Sequence, residues 1–292
     1  MQIIAGSASL VNRAKRGIGR AGNHNGLMEK SYAQSYALLE GEHWWFRARR
    51  FVLRDLLVRL EWPQQPRILE IGTGPGNNLF EIYPSDARLE GVEPDDALCR
   101  LAAARGPVPI FQASIDRLPP EIGDGSYDGV TMFDVLEHIQ DDARALQIVN
   151  RKLRPGGRIV LSAPAYMWLW GQQDIVNQHY RRYNLRELRE KLQAADFTIE
   201  RMTYFNTFLF PAIAAVRLVA RYGRRSHNEE GDFGYAGNPS NPVLRSVFAA
   251  ERVFLRYLDF PFGVSVFAAT RKLDAPHQSS RAMPMPWQWR SS

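Results

Sequence analysis

Two histidines stand where proton chemistry could be done. His138 closes the run Asp134-Val135-Leu136-Glu137-His138, and His179 lies between Asp174 and the segment Tyr180-Arg181-Arg182-Tyr183. An imidazole titrates near neutral pH, so either ring can take a proton from a group about to act as a nucleophile. The acid, phenols and guanidiniums around His179 suit a ligand with an apolar body and a polar or anionic head. Blander roles compete: His138 can cap a strand-to-helix turn, and the aromatic rings can simply roof a pocket and exclude water.

Two carboxylates point to a different task. Glu70 belongs to the apolar run Arg67-Ile68-Leu69-Glu70-Ile71, which breaks at once into Gly72-Thr73-Gly74-Pro75-Gly76-Asn77-Asn78. A buried parallel strand that delivers its C-terminal end to a ligand has this form, with glycines letting backbone N–H groups come close. Twenty-one residues after Gly72, the run Gly91-Val92-Glu93-Pro94-Asp95 brings a second short strand to an acid. That spacing puts a carboxylate on the two ribose hydroxyls of a bound nucleoside. A dinucleotide fingerprint needs a third small residue where Asn77 stands, and Glu70 would repel a pyrophosphate while suiting a cationic amino-acid moiety.

The glycine loop resembles the first motif of the class I S-adenosylmethionine-dependent methyltransferases, and the similarity runs on for roughly 100 residues. The segment Phe111-Gln112-Ala113-Ser114-Ile115-Asp116-Arg117-Leu118-Pro119 is similar to the family's adenine-side segment. Tyr127 to His138 is similar to its fourth strand and the turn beyond, and Leu153-Arg154-Pro155-Gly156-Gly157-Arg158-Ile159-Val160-Leu161 to the approach to its fifth. Many relatives carry an acid where Ser114 stands. Within the family, the small-molecule enzymes of the ubiquinone-biosynthesis type are the nearest in kind.

The resemblance implies S-adenosyl-L-methionine as cofactor. It would be held by Glu70, Gly72, Thr73, Gly74, Gly76, Asn77, Glu93, Pro94, Ser114, Ile115, Phe133 and Asp134. Methyl transfer from a sulfonium is an in-line displacement, so positioning dominates and is worth roughly 7–11 kcal/mol. His138 and His179 are the two candidate bases. The acceptor would meet Trp44, Trp45, Tyr166, Trp170, Tyr180, Arg181 and Tyr183.

The elements that must position these residues follow from the periodicity. Strands are expected at 67–71, near 91–93, at 108–111, at 127–133 and after Gly157, alternating with helices after Asn77, after Pro94 and over 143–153. Such alternation implies right-handed crossovers and a parallel sheet. Asn184 should cap a further helix, Phe197 to Tyr204 should be the sixth strand, and Gly263 to Thr270 the last. The fold class is therefore α/β, and the resemblance implies a Rossmann-like, seven-stranded, mostly parallel sheet whose last strand is antiparallel.

The domain plan has a disordered leader over 1–27, with Met28 a candidate start, and an aromatic helical lid over 28–62. The methyltransferase core covers 63–204 and a helical insertion 205–258. The final core strand lies within 259–273, followed by a disordered tail over 274–292. Arg47, Arg50 and Arg54 read as one solvated helix face. The insertion carries the apolar run Phe208 to Ala220, broken by Arg217, and could be a dimer face, a cover for a greasy substrate or a membrane contact.

Composition limits the alternatives. With 292 residues, 45% of them hydrophobic, the chain can hold one large packed domain. One cysteine, Cys99, excludes an internal disulfide and points to a reducing, cytoplasmic setting. The net charge of +6 is scattered, which does not favour nucleic acid. No metal is expected, because the histidines lack paired ligand spacing.

The reading is an enzyme that methylates a small, partly apolar molecule, such as an isoprenoid or quinone-like compound, a lipid-linked precursor or a secondary metabolite. Oxygen is the acceptor atom a histidine base favours, with carbon and nitrogen open. A non-catalytic binding protein on the same fold and a nicotinamide-dependent enzyme are the alternatives. Peripheral membrane contact and a homodimer are both compatible with the insertion.

Overall fold

The computed structural model describes residues 30–222 and 241–273. The leader, the loop within the insertion and the tail expected from the sequence lie outside the described residues. Two helices, α1 (Lys30–Glu42) and α2 (Trp44–Leu57), occupy the stretch expected to be helical. The break falls at His43, whose Nδ1 accepts the Trp45 N–H at 3.3 Å and so caps α2. Along α2, Val52, Leu53, Leu56 and Leu57 recur at helical spacing and are buried.

The core follows the expected alternation: β1 (Arg67–Ile71), α3 (Asn77–Glu81), β2 (Arg88–Glu93), α4 (Asp96–Ala103), β3 (Ile110–Gln112), β4 (Tyr127–Phe133), α5 (Asp142–Lys152) and β5 (Leu153–Pro164). A short helix α6 (Gln172–Val176) and then α7 (Leu185–Ala194) lead to β6 (Phe197–Phe205). The insertion supplies α8 (Phe210–Tyr222) and α9 (Asn241–Phe254), and β7 (Ser265–Lys272) completes the sheet. Caps behave as their side chains dictate. Asp95 accepts from Ala97 and Leu98 N–H, Asp141 from Arg144 N–H, and Asn184 forms a reciprocal box with Glu187.

The sheet order is β3-β2-β1-β4-β5-β7-β6. β7 runs antiparallel to both neighbours, β5 and β6, while the other pairs are parallel. Central strands are apolar on both sides because both faces are covered. Ile159, Leu161, Val266 and Ala268 join one core, whereas Val160, Phe267 and Ala269 join the other, beneath α2 and α9. One expectation fails locally: Pro155-Gly156-Gly157, read as a helix stop ahead of the strand, already lies inside β5, which starts directly at Leu153. Gly156 turns with φ +71°, and the pairing with β4 shifts register there. Among the described residues, no helix is long and apolar enough to cross a membrane.

Candidate active site

The site gathers at the C-terminal ends of β1, β2, β4 and β5. At the end of β1, Gly72, Gly74 and Gly76 adopt φ of +75°, +53° and +85°, so the loop is left-handed three times in five residues. A Cβ on Gly72 would lie 2.5 Å from Val135 Cγ2, and one on Gly74 would lie 3.3 Å from Glu40 Oε2. Thr73 is buried beside them, and Asn77 opens α3 with its Oδ1 bonded by Arg105.

Glu93 ties the two strand ends together. Its Oε2 accepts the Gly74 N–H at 2.8 Å and its Oε1 the Asp95 N–H at 3.0 Å. Burial raises its pKa to about 7, those two N–H groups only partly offsetting the effect. Pro94 carries the chain from Glu93 into the α4 cap. Glu70 is wholly buried beside Tyr83 and Asn78, neither at full hydrogen-bond geometry, and burial raises its pKa to about 8 despite them. A buried, poorly satisfied carboxylate beside an N–H-rich glycine loop fits the cationic amino-acid end of S-adenosylmethionine. Ser114 lies just past β3 at the N-terminus of a single 3-10 turn, exposed, with Ile115 buried behind it.

β4 ends on Phe133 and then Asp134, whose φ of +55° turns the chain sharply. Ser162 Oγ donates to Asp134 Oδ1 at 3.0 Å, and Arg49 of α2 pairs with Oδ2. The Arg49 guanidinium also lies over the rings of Trp45 and Phe46, at 5.2 and 5.6 Å. Residues of the two N-terminal helices thus reach the cofactor end: Arg49 at Asp134 and Glu40 beside Gly74.

The two candidate bases, 41 positions apart in sequence, meet in space. The rings of His138 and His179 are 4.6 Å apart and perpendicular. His179 Nδ1 is 2.9 Å from Asp174 Oδ1, and Asp174 is fully buried. Asp174 also accepts from Gly171 N–H at 2.8 Å and Arg182 Nε at 2.8 Å, with Arg217 Nη1 at 3.4 Å. Burial alone would push this carboxyl up, but the bonds from His179 and Arg182 hold it well below the usual carboxylate range. Ionised Asp174 makes Nδ1 the protonated nitrogen of His179, which leaves Nε2 free to accept a proton. His138 has an exposed edge, and desolvation among its neighbours together with the adjoining His179 lowers its pKa.

Glu137 is buried beside both rings, and neither of its oxygens is bonded. One ligand atom each of Glu137, His138 and His179 lie within 4.8 Å of one another. The histidines that sequence spacing showed as dispersed are therefore adjacent, brought together by β4 and the loop after α6.

The candidate acceptor residues divide. Tyr166, at φ +57°, stacks on Tyr204 at 5.0 Å and on Trp168 at 5.7 Å. Trp170 is half-buried at the end of the same loop. Tyr180 is exposed. Arg181 is drawn off to Asp142, 2.7 Å away, and to the Gln140 carbonyl. Tyr183 is core and not lining: it is buried, and its hydroxyl donates to Asp142 Oδ2 at 2.8 Å. Trp44 and Trp45 pack half-buried against the core under α2 and α9, Trp45 lying 6.5 Å from Phe248.

Sequence reasoning missed Glu40 and Arg49, and grouped Arg182 with the ligand-facing guanidiniums where it holds Asp174. It also read Arg50 as solvated, yet Arg50 is buried, 2.8 Å from Glu81 and donating to the Glu40 carbonyl at 2.9 Å. Arg217, an apparent break in the apolar α8, reaches inward to the Leu169 carbonyl and Asp174. No short-range pattern marks these arginines, because their partners lie on other elements.

A seven-stranded sheet with an antiparallel seventh strand, carrying a glycine loop and an acid-ended second strand, defines a class I S-adenosylmethionine-dependent methyltransferase. Comparison with known proteins agrees. The Methyltransferase domain family model matches residues 43–201, and the chain belongs to that family. It is 33% identical over 218 residues to a Mycolicibacterium smegmatis protein named as a probable S-adenosylmethionine-dependent methyltransferase, covering 73% of this chain and 81% of the relative. A Pseudomonas aeruginosa ubiquinone biosynthesis O-methyltransferase is 27% identical over 132 residues, covering 41% of this chain and 56% of the relative. Among solved structures, a Haloferax volcanii methyltransferase in complex with the Trm112 activator superposes with a TM-score of 0.57 at 15% identity. The match covers 85% of this chain and 96% of that one, and shows the shared fold.

Proposed function

We propose that this methyltransferase acts on a hydroxyl oxygen of a small, partly apolar molecule, with His179 as the base. The observation that carries the reading is the Asp174–His179 pair set edge-on to His138 at the end of β4. S-adenosylmethionine, when bound, supplies an electrophilic methyl group on a sulfonium. The chain's own residues do the rest. Glu93 and the loop amides hold the nucleoside, Glu70 faces its amino-acid end, and Asp134 with Arg49 closes the wall beside it. His179 takes the acceptor's proton at Nε2, and Asp174 stabilises the imidazolium so formed.

Tyr166, Trp168 and Phe210 form an aromatic group suited to an apolar acceptor body. Val216 and Val219 of α8 are exposed, which suits delivery of such a molecule from an apolar phase and a peripheral membrane contact. The name of the Pseudomonas relative favours oxygen.

The orphaned Glu137 carboxylate favours a second reading at the same place. A divalent cation held by Glu137, His138 and His179 would satisfy the carboxylate and polarise the acceptor oxygen. One assay separates the two. Purified protein is supplied with S-adenosylmethionine and a panel of phenols, isoprenyl phenols and amines, and S-adenosylhomocysteine release is followed. The base reading expects turnover of phenols that survives a chelator and falls roughly 100-fold or more in His179→Ala. Turnover of amines alone would refute the oxygen acceptor. Activity lost to the chelator and restored by a divalent ion would transfer His179 from base to ligand.

A further inference from the structure

Away from the methyl-transfer site, α2 and α3 line a half-open pocket of about 590 Å³, the size of an ordinary small-ligand pocket. Residues at the N-terminal start of β2, Ala87 and Leu89, line it, whereas the cofactor loops occupy the opposite, C-terminal end of that strand. Its α2 wall carries Arg47, Arg50 and Arg54. Among the described residues, Arg50 is held by Glu81, but the side chains of Arg47 and Arg54 have neither ion pair nor hydrogen bond. Seven positions apart on a helix, their Cα atoms are about 10 Å from each other on nearly the same face, so their long side chains can close on one group between them. The remaining wall is mixed: Phe51, Leu79, Phe80 and Leu89 give it an apolar side, beside the polar Glu81, Tyr83 and Ser85. Phe51 keeps an exposed face, and the Arg252 guanidinium lies 5.8 Å from its ring, which adds to the positive field.

The only carboxylate on the described lining is Glu81, already engaged by Arg50. Two guanidiniums without an ion pair among the described residues, beside an apolar side of the wall, are the complement of a dianionic head on an apolar body. Guanidinium binds phosphate in a bidentate fork, and a phosphomonoester carries about −1.5 to −2 charges at neutral pH. We propose that this cavity binds a small organic phosphate, a phosphomonoester on an apolar body, independently of the methyl acceptor.

The test is calorimetric titration of the full chain with octyl phosphate below its micellar concentration, beside inorganic phosphate. It is repeated on the Arg47→Gln/Arg54→Gln variant and in the presence of saturating S-adenosylmethionine. Both arginines are exposed, so the variant should fold and bind S-adenosylmethionine as the parent does. The expected result is one octyl phosphate per chain, at least tenfold weaker in the variant and still bound when S-adenosylmethionine is saturating. Equal affinity in the two proteins would overturn the site. Equal affinity for inorganic phosphate would overturn the apolar body, and displacement by S-adenosylmethionine would show that octyl phosphate had entered the methyl-donor site instead.

Discussion

Between Gly72 and Asp95 the proposed cofactor end is made largely of backbone: three left-handed glycines and two N–H groups bonded to one carboxylate, all within 24 residues. The proposed acceptor end is made of side chains from distant elements. Asp174 receives Gly171 and His179 from its own loop, Arg182 from the approach to α7 and Arg217 from α8, while His138 arrives from β4. A backbone site should fail by local strain when altered. A side-chain cluster should fail by leaving its other members uncompensated, so the two ends predict different kinds of damage.

The largest effect is expected at the acceptor end. Asp174→Ala leaves the buried Arg182 and the half-buried Arg217 without that carboxylate and should cost about 3–5 kcal/mol of stability. A denaturant melt reads this directly. A loss below about 1 kcal/mol would mean that the cluster is solvated and the contrast between the two ends false.

Gly72→Ala comes next. Alanine at φ +75° costs about 1–2 kcal/mol, and its Cβ would meet Val135 at 2.5 Å. S-adenosylmethionine should cease to bind at concentrations that saturate the parent, while the protein stays folded by circular dichroism. Retained binding would show that Val135 moves freely and that the loop is not pre-shaped. Glu93→Gln follows, with affinity for S-adenosylmethionine expected to fall roughly ten- to a hundredfold, the worth of a charge-assisted hydrogen-bond acceptor. Unchanged affinity would remove Glu93 from the ribose.

The same contrast explains what could be read from the sequence. The glycine loop, the acid-ended second strand and the helix cap at Asn184 are expressed in short windows, where residue type determines backbone angle, whereas the antiparallel last strand is implied by the family resemblance. The acceptor end is not local in this sense. Nothing near Arg217 indicates Asp174, 43 positions away, and Tyr183 looked like a pocket phenol because its partner Asp142 lies 41 positions back. Arg50 shows how periodicity misleads: it marks a face, but α3 covers that face at Glu81.

The smallest predicted effect probes the cofactor end through pH. Glu93 and Glu70 have folded pKa values raised from 4.5 to about 7 and about 8, in both cases mainly by burial. For an acid raised in this way, ionisation works against the native state, so the free protein loses stability as pH climbs from about 4.5 through those values. A ribose that donates to Glu93 and a cationic amino group facing Glu70 both prefer the carboxylates ionised. Binding should therefore recover the lost stability and weaken as pH falls, by up to about tenfold per unit for each group. The rise in melting temperature on adding S-adenosylmethionine should be larger at pH 8 than at pH 6, and Glu93→Gln should flatten the lower part of that dependence while leaving the part set by Glu70. If the cofactor's stabilising effect were the same at both pH values, neither carboxylate would change its charge on binding. The cofactor end would then rest on its backbone alone, which would sharpen its contrast with the charge-built acceptor end.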